Sequence, residues 1–171
     1  MRRAKRYELG PLTLADAEEA LTRTAEGALT QEAAALAASM TFGYPYLVQL
    51  VGALAWDAAA DRGAEAIEPQ DVRAVSAQAI ETMGYQVHHP SLKGVPPAQR
   101  AFLRAMAHRD LPARTTDVAE ELGKPPAGIS DTRSKLIDRE LIYAPAWGYV
   151  DFVLPYMREF LLTDGRVTRL S

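Results

Sequence analysis

The apolar residues in the first half of this 171-residue chain recur at spacings of three and four positions, which is the period of an α-helix. The stripe is plainest between Leu47 and Ala58. Thr13 and Thr30 stand where helix N-caps belong, and Pro45 suits a first helical turn, where its missing N–H is harmless. Four helices are predicted, over residues 13–25, 30–40, 45–62 and 69–83.

The pattern changes in the second half of the chain. Three short amphipathic stretches, 97–108, 115–122 and 126–138, precede two runs rich in β-branched and aromatic residues, 141–144 and 149–153. A Gly-Lys-Pro-Pro turn separates the second and third stretches, and a Pro-Ala-Trp-Gly tip separates the two runs. Three helices and a hairpin in this order predict a winged helix-turn-helix, a fold that presents one helix to a duplex groove.

The expected fold is therefore mainly α: a helical bundle followed by a winged helix-turn-helix with a small β-hairpin. We assign residues 1–84 to the bundle and 97–162 to the winged helix. Residues 85–96 are predicted to form an irregular linker, because they are polar, contain Gly and Pro and lack periodicity. Residues 163–171 are predicted to be a frayed tail.

Composition narrows the class of protein. The chain is 48% hydrophobic and 24% charged, and it has no Cys, which excludes disulfides and cysteine zinc sites. No apolar run approaches the roughly 18 residues that a membrane span needs, and no apolar segment follows the basic start at residues 1–6. A cytoplasmic protein without a membrane partner is expected. The basic start could contact phosphates or neighbouring acids, or lead out of another domain.

The two halves differ in charge. Residues 1–90 carry 7 Lys and Arg against 12 Asp and Glu, a formal charge of −5, whereas residues 91–171 carry 12 against 10, a charge of +2. The basic surplus lies with the predicted winged helix. It is smaller than the basic stripe that is typical of nucleic-acid-binding domains.

Four segments of the first half carry a family resemblance. They are Leu-Gly-Pro-Leu-Thr at 9–13, Gly-Tyr-Pro-Tyr-Leu-Val-Gln-Leu at 43–50, Ala-Trp-Asp-Ala-Ala at 55–59 and Ile-Glu-Pro-Gln-Asp-Val at 67–72. In this order they resemble the helical lid of AAA-type or STAND-like ATPases, where a Gly-x-Pro-x-x-x-Gln element opens the helix over the nucleotide. A winged helix commonly follows this lid in origin-recognition and archaeal ATPases, so the resemblance covers most of the chain.

The resemblance implies that Tyr44, Tyr46 and Gln49 lie near the nucleotide of an ATPase core. Many members of the family carry an Arg on this helix, and none stands in this segment. The alternative is that the two tyrosines only fix the turn between two helices, which we favour for the chain by itself.

The chain lacks the loop that binds a triphosphate. No Gly-x-x-x-x-Gly-Lys-Ser/Thr sequence occurs, and Gly123-Lys124 is followed by Pro125. The chain is therefore not expected to be an enzyme by itself or to hold a cofactor. ATP and Mg²⁺ would belong to the core of a parent ATPase, of which this chain would be the C-terminal region.

The third helix of the predicted winged helix would present polar side chains suited to duplex DNA. Arg can fork onto guanine edges, Lys can neutralise a phosphate, and Ser can bond to either. The alternative is a solvated face of a structural helix, since Asp131, Asp138 and Glu140 dilute the positive charge. The candidate DNA contacts are Ser130, Arg133, Ser134 and Lys135.

Two further features bear on function. The hairpin tip holds Trp147 and brings no Lys or Arg, so we expect Trp147 to pack over the domain edge; an exposed aromatic tip would indicate a protein contact. His88 and His89 are expected to be an exposed linker pair, not metal ligands.

The leading hypothesis is a regulatory region that binds duplex DNA. The alternative is a module in which the winged helix docks on its ATPase core or on a partner protein.

Overall fold

The computed structural model describes residues 10–167 of the chain. The basic start at 1–6 and the last part of the predicted tail, 168–171, lie outside the described residues. The chain divides into two compact units, Met1–Glu81 (the first unit) and Thr82–Ser171 (the second unit). The fold is mainly α with a small antiparallel sheet, which confirms the predicted fold class.

The four helices predicted for the first half are present, each within about one residue of its predicted bounds. They are α1 (Leu14–Thr24), α2 (Gln31–Thr41), α3 (Pro45–Asp61) and α4 (Pro69–Met83).

The first two helices begin at the threonines that the sequence marks as N-caps. Thr13 Oγ1 accepts a hydrogen bond from the Asp16 N–H at 3.1 Å, and Asp16 Oδ2 accepts one from the Thr13 N–H at 3.3 Å, which completes a capping box. Thr30 Oγ1 likewise accepts from the Ala33 N–H at the start of α2. Each cap satisfies backbone donors that the helix itself leaves unpaired.

Small side chains dominate the core of the first unit. Alanines on α1, α2 and α3 let these helices approach one another closely, since interaxial distance depends on side-chain size. Two backbone hydrogen bonds, Thr30 N to Ile67 O at 3.1 Å and Ile67 N to Ala28 O at 2.7 Å, join the α1–α2 connection to the α3–α4 connection. The buried residues include Ala17, Leu21, Ala33, Ala37, Ala38, Val51, Ala55 and Val72.

The second unit contains the winged helix. In chain order its elements are a π-helical turn (Gly84–His88), α5 (His89–Leu92), α6 (Pro97–Ala107), β1 (Ala113–Arg114), α7 (Thr115–Glu121), a 3₁₀ turn (Pro126–Ile129), α8 (Ser130–Asp138), β2 (Ile142–Tyr143), β3 (Tyr149–Phe152) and α9 (Met157–Val167).

The three strands form one antiparallel sheet in the order β1-β3-β2. β2 and β3 are the predicted hairpin, with Ile142 opposite Phe152. β1, where the sequence predicted only a loop, pairs Ala113 with Val150. The inward residues of the sheet join side chains from α6, α8 and α9 in a core that includes Phe102, Leu103, Met106, Ile129, Leu136, Val150, Phe152 and Met157.

Two segments differ from their predicted form. The stretch predicted as an irregular linker is helical from Gly84 to Leu92, because the π-helical turn and α5 follow one another without a break. α9 continues to Val167, so residues 163–167 of the predicted tail are helical. Neither short helical piece is long enough to display a hydrophobic period, which explains why the pattern indicated a loop.

Candidate nucleic-acid interface

The turn between α7 and α8 orients α8 in the way that a helix-turn-helix orients its recognition helix. Gly123 ends α7 in the left-handed region (φ 62°), where the Lys124 N–H bonds the Ala119 carbonyl at 2.9 Å. The two prolines that follow start the 3₁₀ turn and redirect the chain. Ile129 and Leu136, seven positions apart and both buried, fix one side of α8 to the core. Its opposite side therefore faces solvent.

Three of the four candidate DNA contacts lie on the solvent-facing side of α8. Ser130, Ser134 and Lys135 are exposed, as the helical spacing predicts. Arg133, expected to face outward, is instead half-buried, because it lies four positions after Ile129 and three before Leu136 on the inner side; its Nε is buried without a protein hydrogen-bond partner. Their contact with DNA stays a prediction.

An acid already neutralises the lysine of α8. Lys135 Nζ donates to Asp131 Oδ2 at 2.7 Å, one helical turn away. Both side chains are largely exposed, so the pair contributes little to stability and a phosphate can compete with Asp131 for the ammonium group. The sequence identified both residues, and the structure adds that they bond to one another.

The structure places a cation beside the hairpin that sequence reasoning missed. β1 pairs Arg114 with Tyr149 of β3. Arg114 Nε donates to Tyr149 Oη at 3.1 Å, and the guanidinium lies 5.9 Å from the centre of the Tyr149 ring. The hydrogen bond with Tyr149 and the nearby charge of Asp117 raise the pKa of Arg114. Because β1 has only two residues, no pattern in the sequence could indicate this pairing.

Trp147 does not pack over the domain edge, so that expectation is wrong. Its side chain is 98% exposed. The tip residues around it, 144–148, are all exposed and carry no charge. Alanine, proline and glycine make up the rest of the tip.

The lid-like residues lie at the start of α3. Tyr44 is the residue before Pro45, and its ring meets that of Tyr46 edge to face, with centroids 6.5 Å apart. Both rings are half-buried, and Gln49 is exposed. The ring contact supports the interpretation that the tyrosines fix this turn, and their proximity to a nucleotide stays a prediction. Leu9, which begins the first lid-like segment, lies outside the described residues.

His88 is buried, which overturns its assignment to an exposed linker pair. Its Nε2 bonds the Pro155 carbonyl at 2.8 Å, and its ring lies 5.1 Å from that of Phe160. Since a carbonyl can only accept, Nε2 carries the proton, and the buried Nδ1 has no protein partner. Burial lowers the pKa of His88, opposed by the Pro155 hydrogen bond and the charge of Glu159. His89 is exposed, as expected.

A groove of about 440 Å³ lies along α6 and the end of α7. Val95, Ala101 and Leu122 contribute apolar surface, and Arg100 and Arg104 add positive charge one helical turn apart. Arg100 also donates to the carbonyls of Val95 and Leu92, which holds it in place. Glu121, which pairs with Arg109, also lines the groove, so the groove combines an apolar surface with two arginines and one carboxylate.

Two negative findings apply to the described residues, 10–167. No helix there combines the length and the apolar character that a bilayer crossing requires. No three or more His, Asp or Glu side chains in that range are grouped so that they could hold a metal ion.

A protein family described as a domain of unknown function (DUF8462) matches residues 85–161, which is less than half of the chain. The match starts in the π-helical turn and ends in α9, so it covers the winged helix. No curated protein matches the chain.

Among solved structures, the chain is similar to the RuvB Holliday junction branch migration motor of Thermotoga maritima. The sequence identity is 18% and the TM-score is 0.41, over 90% of this chain and 50% of the RuvB chain. One mutant of that RuvB matches at 18% identity and a TM-score of 0.42, over 90% of this chain and 50% of the RuvB chain. A second mutant matches at 17% identity and a TM-score of 0.40, over 88% of this chain and 48% of the RuvB chain. The chain spans about half the length of the RuvB chains that it matches.

Proposed function

We propose that the chain is the regulatory C-terminal region of an AAA-type ATPase and that its winged helix contacts duplex DNA. The first unit would act as the lid over the nucleotide of a separate ATPase core, which would supply the ATP and Mg²⁺ chemistry. The chain itself would not be an enzyme, because its sequence has no triphosphate-binding loop. The lid-like segments and the winged helix that follows them support this proposal.

The observation that carries the DNA proposal is the presentation of α8. A helix-turn-helix reads DNA by placing the exposed side of its second helix in the major groove. Here Ile129 and Leu136 hold the inner side of α8 while Ser130, Ser134 and Lys135 face outward. The exposed side is thus polar and small enough to enter a groove about 12 Å wide.

Each candidate side chain has a distinct role in this proposal. Lys135 would exchange Asp131 for a backbone phosphate, and the two serines would bond phosphates or base edges. Arg133 would reach toward a base edge with the terminal nitrogens of its guanidinium. One lysine and one arginine make few phosphate contacts, so we expect modest affinity and a shallow dependence on salt.

The test is duplex binding by fluorescence anisotropy across a series of salt concentrations. We expect the double variant Arg133→Ala and Lys135→Ala to bind about tenfold more weakly and to lower the slope of log K against log salt by about 1 to 2. Arg23→Ala is the matched control, because Arg23 is also an exposed cation that pairs one turn away, with Glu19. Unchanged affinity in the double variant would exclude α8 as the contact.

The second candidate function is a protein-interaction module, and the groove along α6 favours it. Its apolar surface with Arg100 and Arg104 suits an acidic amphipathic segment of an ATPase core or partner protein. Native mass spectrometry with a candidate ATPase core discriminates the two functions. A complex that Arg104→Glu abolishes, together with duplex binding that this variant leaves unchanged, would establish the groove as a separate docking site. A complex that excludes DNA would favour the module over DNA binding.

A further inference from the structure

The side chain of Trp147 is the most exposed large apolar group in the described part of the chain. We propose that Trp147 is a stacking site for an unpaired nucleobase and that Arg114 binds the phosphate beside that base. The candidate ligand is single-stranded DNA. Binding of a single strand by Trp147 does not require the proposed duplex contact of α8. The preference for a single strand that continues into a duplex rests on that proposed contact.

The backbone holds Trp147 in a fixed position on both sides. The Tyr149 N–H donates to the Ala146 carbonyl at 3.1 Å, which closes the turn at the tip. The Thr115 N–H donates to the Gly148 carbonyl at 2.8 Å, which ties the tip to the start of α7. The indole therefore projects from an ordered hairpin, and little backbone entropy is lost when it contacts a ligand.

The groups nearest to the tip suit a nucleotide. The register of β1 and β3 places Arg114 opposite Tyr149, two residues after the indole. The hydrogen bond to Tyr149 Oη uses only Nε, so it orients the guanidinium and leaves its terminal nitrogens outside that bond. An aromatic face for the base and an arginine for the phosphate are the two components of known single-strand binding platforms.

The surroundings of Trp147 favour a base over a protein pocket. A tryptophan that anchors a protein interface lies within a larger apolar contact surface that excludes water. The tip around Trp147 consists of Ala, Pro and Gly at 144–148, so the indole is the one large apolar side chain within the tip. A base needs only one flat face, and each indole face is large enough to accept one.

This arrangement predicts a substrate class. α8 ends at Asp138 and Trp147 follows nine residues later, so a domain that docks α8 on a duplex carries its hairpin tip within about 30 Å of that helix. A base that has left the stack would meet Trp147 at that distance. We therefore expect duplexes with a single-stranded extension or gap to bind more tightly than continuous duplexes of equal length.

Tryptophan fluorescence tests the stacking directly. The chain has two tryptophans, so the full-length Trp56→Phe variant leaves Trp147 as the sole emitter. Titration with oligo(dT) should quench this emission in a saturable way. The reciprocal variant Trp147→Phe, in which Trp56 alone emits, should show no quenching. Binding without quenching, or equal quenching in both variants, would overturn the proposal.

Affinity provides the second measurement. Trp147→Ala should weaken oligo(dT) binding by about tenfold to a hundredfold, and Trp147→Phe should retain most of the affinity because it keeps an aromatic face. Arg114→Ala should lower the salt slope by about 0.7, the value for one single-strand phosphate contact. Because Trp147 is almost fully exposed, neither substitution of it should disturb the fold.

The outcomes separate this inference from the proposed function. Loss of oligo(dT) binding in Trp147→Ala, with duplex binding that ignores Arg133 and Lys135, would support the stacking site and refute the α8 contact. If duplex binding depends on Arg133 and Lys135 while oligo(dT) binding is unchanged in Trp147→Ala, the α8 contact is supported and the stacking site is refuted. No measurable binding to oligo(dT) would overturn the stacking site and leave the tip as a contact for a protein.

Discussion

The two units differ in whether their buried polar side chains have hydrogen-bond partners. In the first unit the buried carboxylate of Asp71 accepts hydrogen bonds from Arg62 and from the Glu68 N–H, and buried Thr41 donates to the Ala38 carbonyl. In the second unit, five buried side-chain atoms in the described part of the chain have no protein partner. They are His88 Nδ1, Gln99 Oε1, Arg109 Nε, Thr115 Oγ1 and Arg133 Nε.

This contrast indicates where the chain is adapted to a partner. Most buried polar groups in proteins are hydrogen-bonded, and exceptions concentrate where a protein does something other than fold. Thr115 and Arg133 are both next to, or part of, the surfaces proposed to contact DNA. The first unit shows no such departure among its described residues. The following predictions test the comparison.

The strongest test concerns the backbone packing of the first unit. A Cβ on Gly43 (φ 69°) would lie 1.9 Å from the Leu12 carbonyl oxygen, at the point where the Leu12 N–H donates to the Gly43 carbonyl. We expect Gly43→Ala to destabilise the first unit by about 3–4 kcal/mol, because left-handed strain of about 1–2 kcal/mol adds to a displacement of the main chain. Urea unfolding, followed by Trp56 emission in a Trp147→Phe background, measures the change.

Gly63 is the matched control for that substitution. It has the same φ of 69°, but a Cβ there meets nothing within 4 Å. Gly63→Ala should therefore cost only the strain, about 1–2 kcal/mol. If the two variants were equally stable, the close approach of backbones would not be what holds the first unit together.

A smaller effect is expected from the ion pair of the first unit. Asp71 is buried, and it bonds Arg62 and the N–H of Glu68, the residue before α4. Asp71→Ala should destabilise the unit by about 2–3 kcal/mol, since it removes a cap and leaves Arg62 without this partner. Asp57→Ala, at an exposed position of α3, is the control and should change stability by less than about 0.5 kcal/mol.

The same carboxylate predicts the acid response of the first unit. The hydrogen bond from Arg62 and that from Glu68 lower the pKa of Asp71, against the opposing effect of burial. Its contribution is complete above the unfolded pKa of about 4 and is lost as the pH falls through the lower folded value. Unfolding measured between about pH 2 and 5 should show this loss in the parent chain and not in Asp71→Ala. A parallel decline in both would assign the acid response to other groups.

Sequence reasoning succeeded where elements are long enough to show a period. α1 to α4 follow from spacing and from the caps Thr13 and Thr30, because local signals and tertiary packing agree there. The hairpin follows from two runs of β-branched and aromatic residues that flank a turn sequence. It failed where an element is very short. β1 has two residues, and its pairing with β3 depends on the whole fold, so Arg114 could not be identified as part of the wing.

The candidate site was predictable in part. The exposed positions of α8 follow from helical spacing, whereas the bond between Lys135 and Asp131 is one of several that the spacing allows. The exposure of Trp147 could not be predicted, because an aromatic residue in a short tip packs or projects according to what lies beneath it. The burial of His88 was hidden for a similar reason, since its contacts lie in residues 155 and 160, far along the chain.

The smallest expected effect is the pH response of the second unit through His88. Since burial lowers its pKa, His88 is neutral in the folded chain at a pH where the unfolded chain begins to bind a proton. Above about pH 7 both states are neutral and His88 adds no pH dependence. As the pH falls through about 6.5, the free energy of unfolding declines until the lower folded pKa is reached. The slope corresponds to the uptake of at most one proton on unfolding.

His89 is the matched control, because it is the adjacent histidine and is exposed. Urea unfolding followed by far-UV circular dichroism should show a loss of stability between pH 7 and 5 in the parent and in His89→Gln. His88→Gln should lose less, since its amide can still donate to the Pro155 carbonyl but does not titrate. If His88→Gln kept the full slope, the orphaned Nδ1 would be unconnected to acid sensitivity. The contrast between the two units would then rest on the other four orphaned atoms.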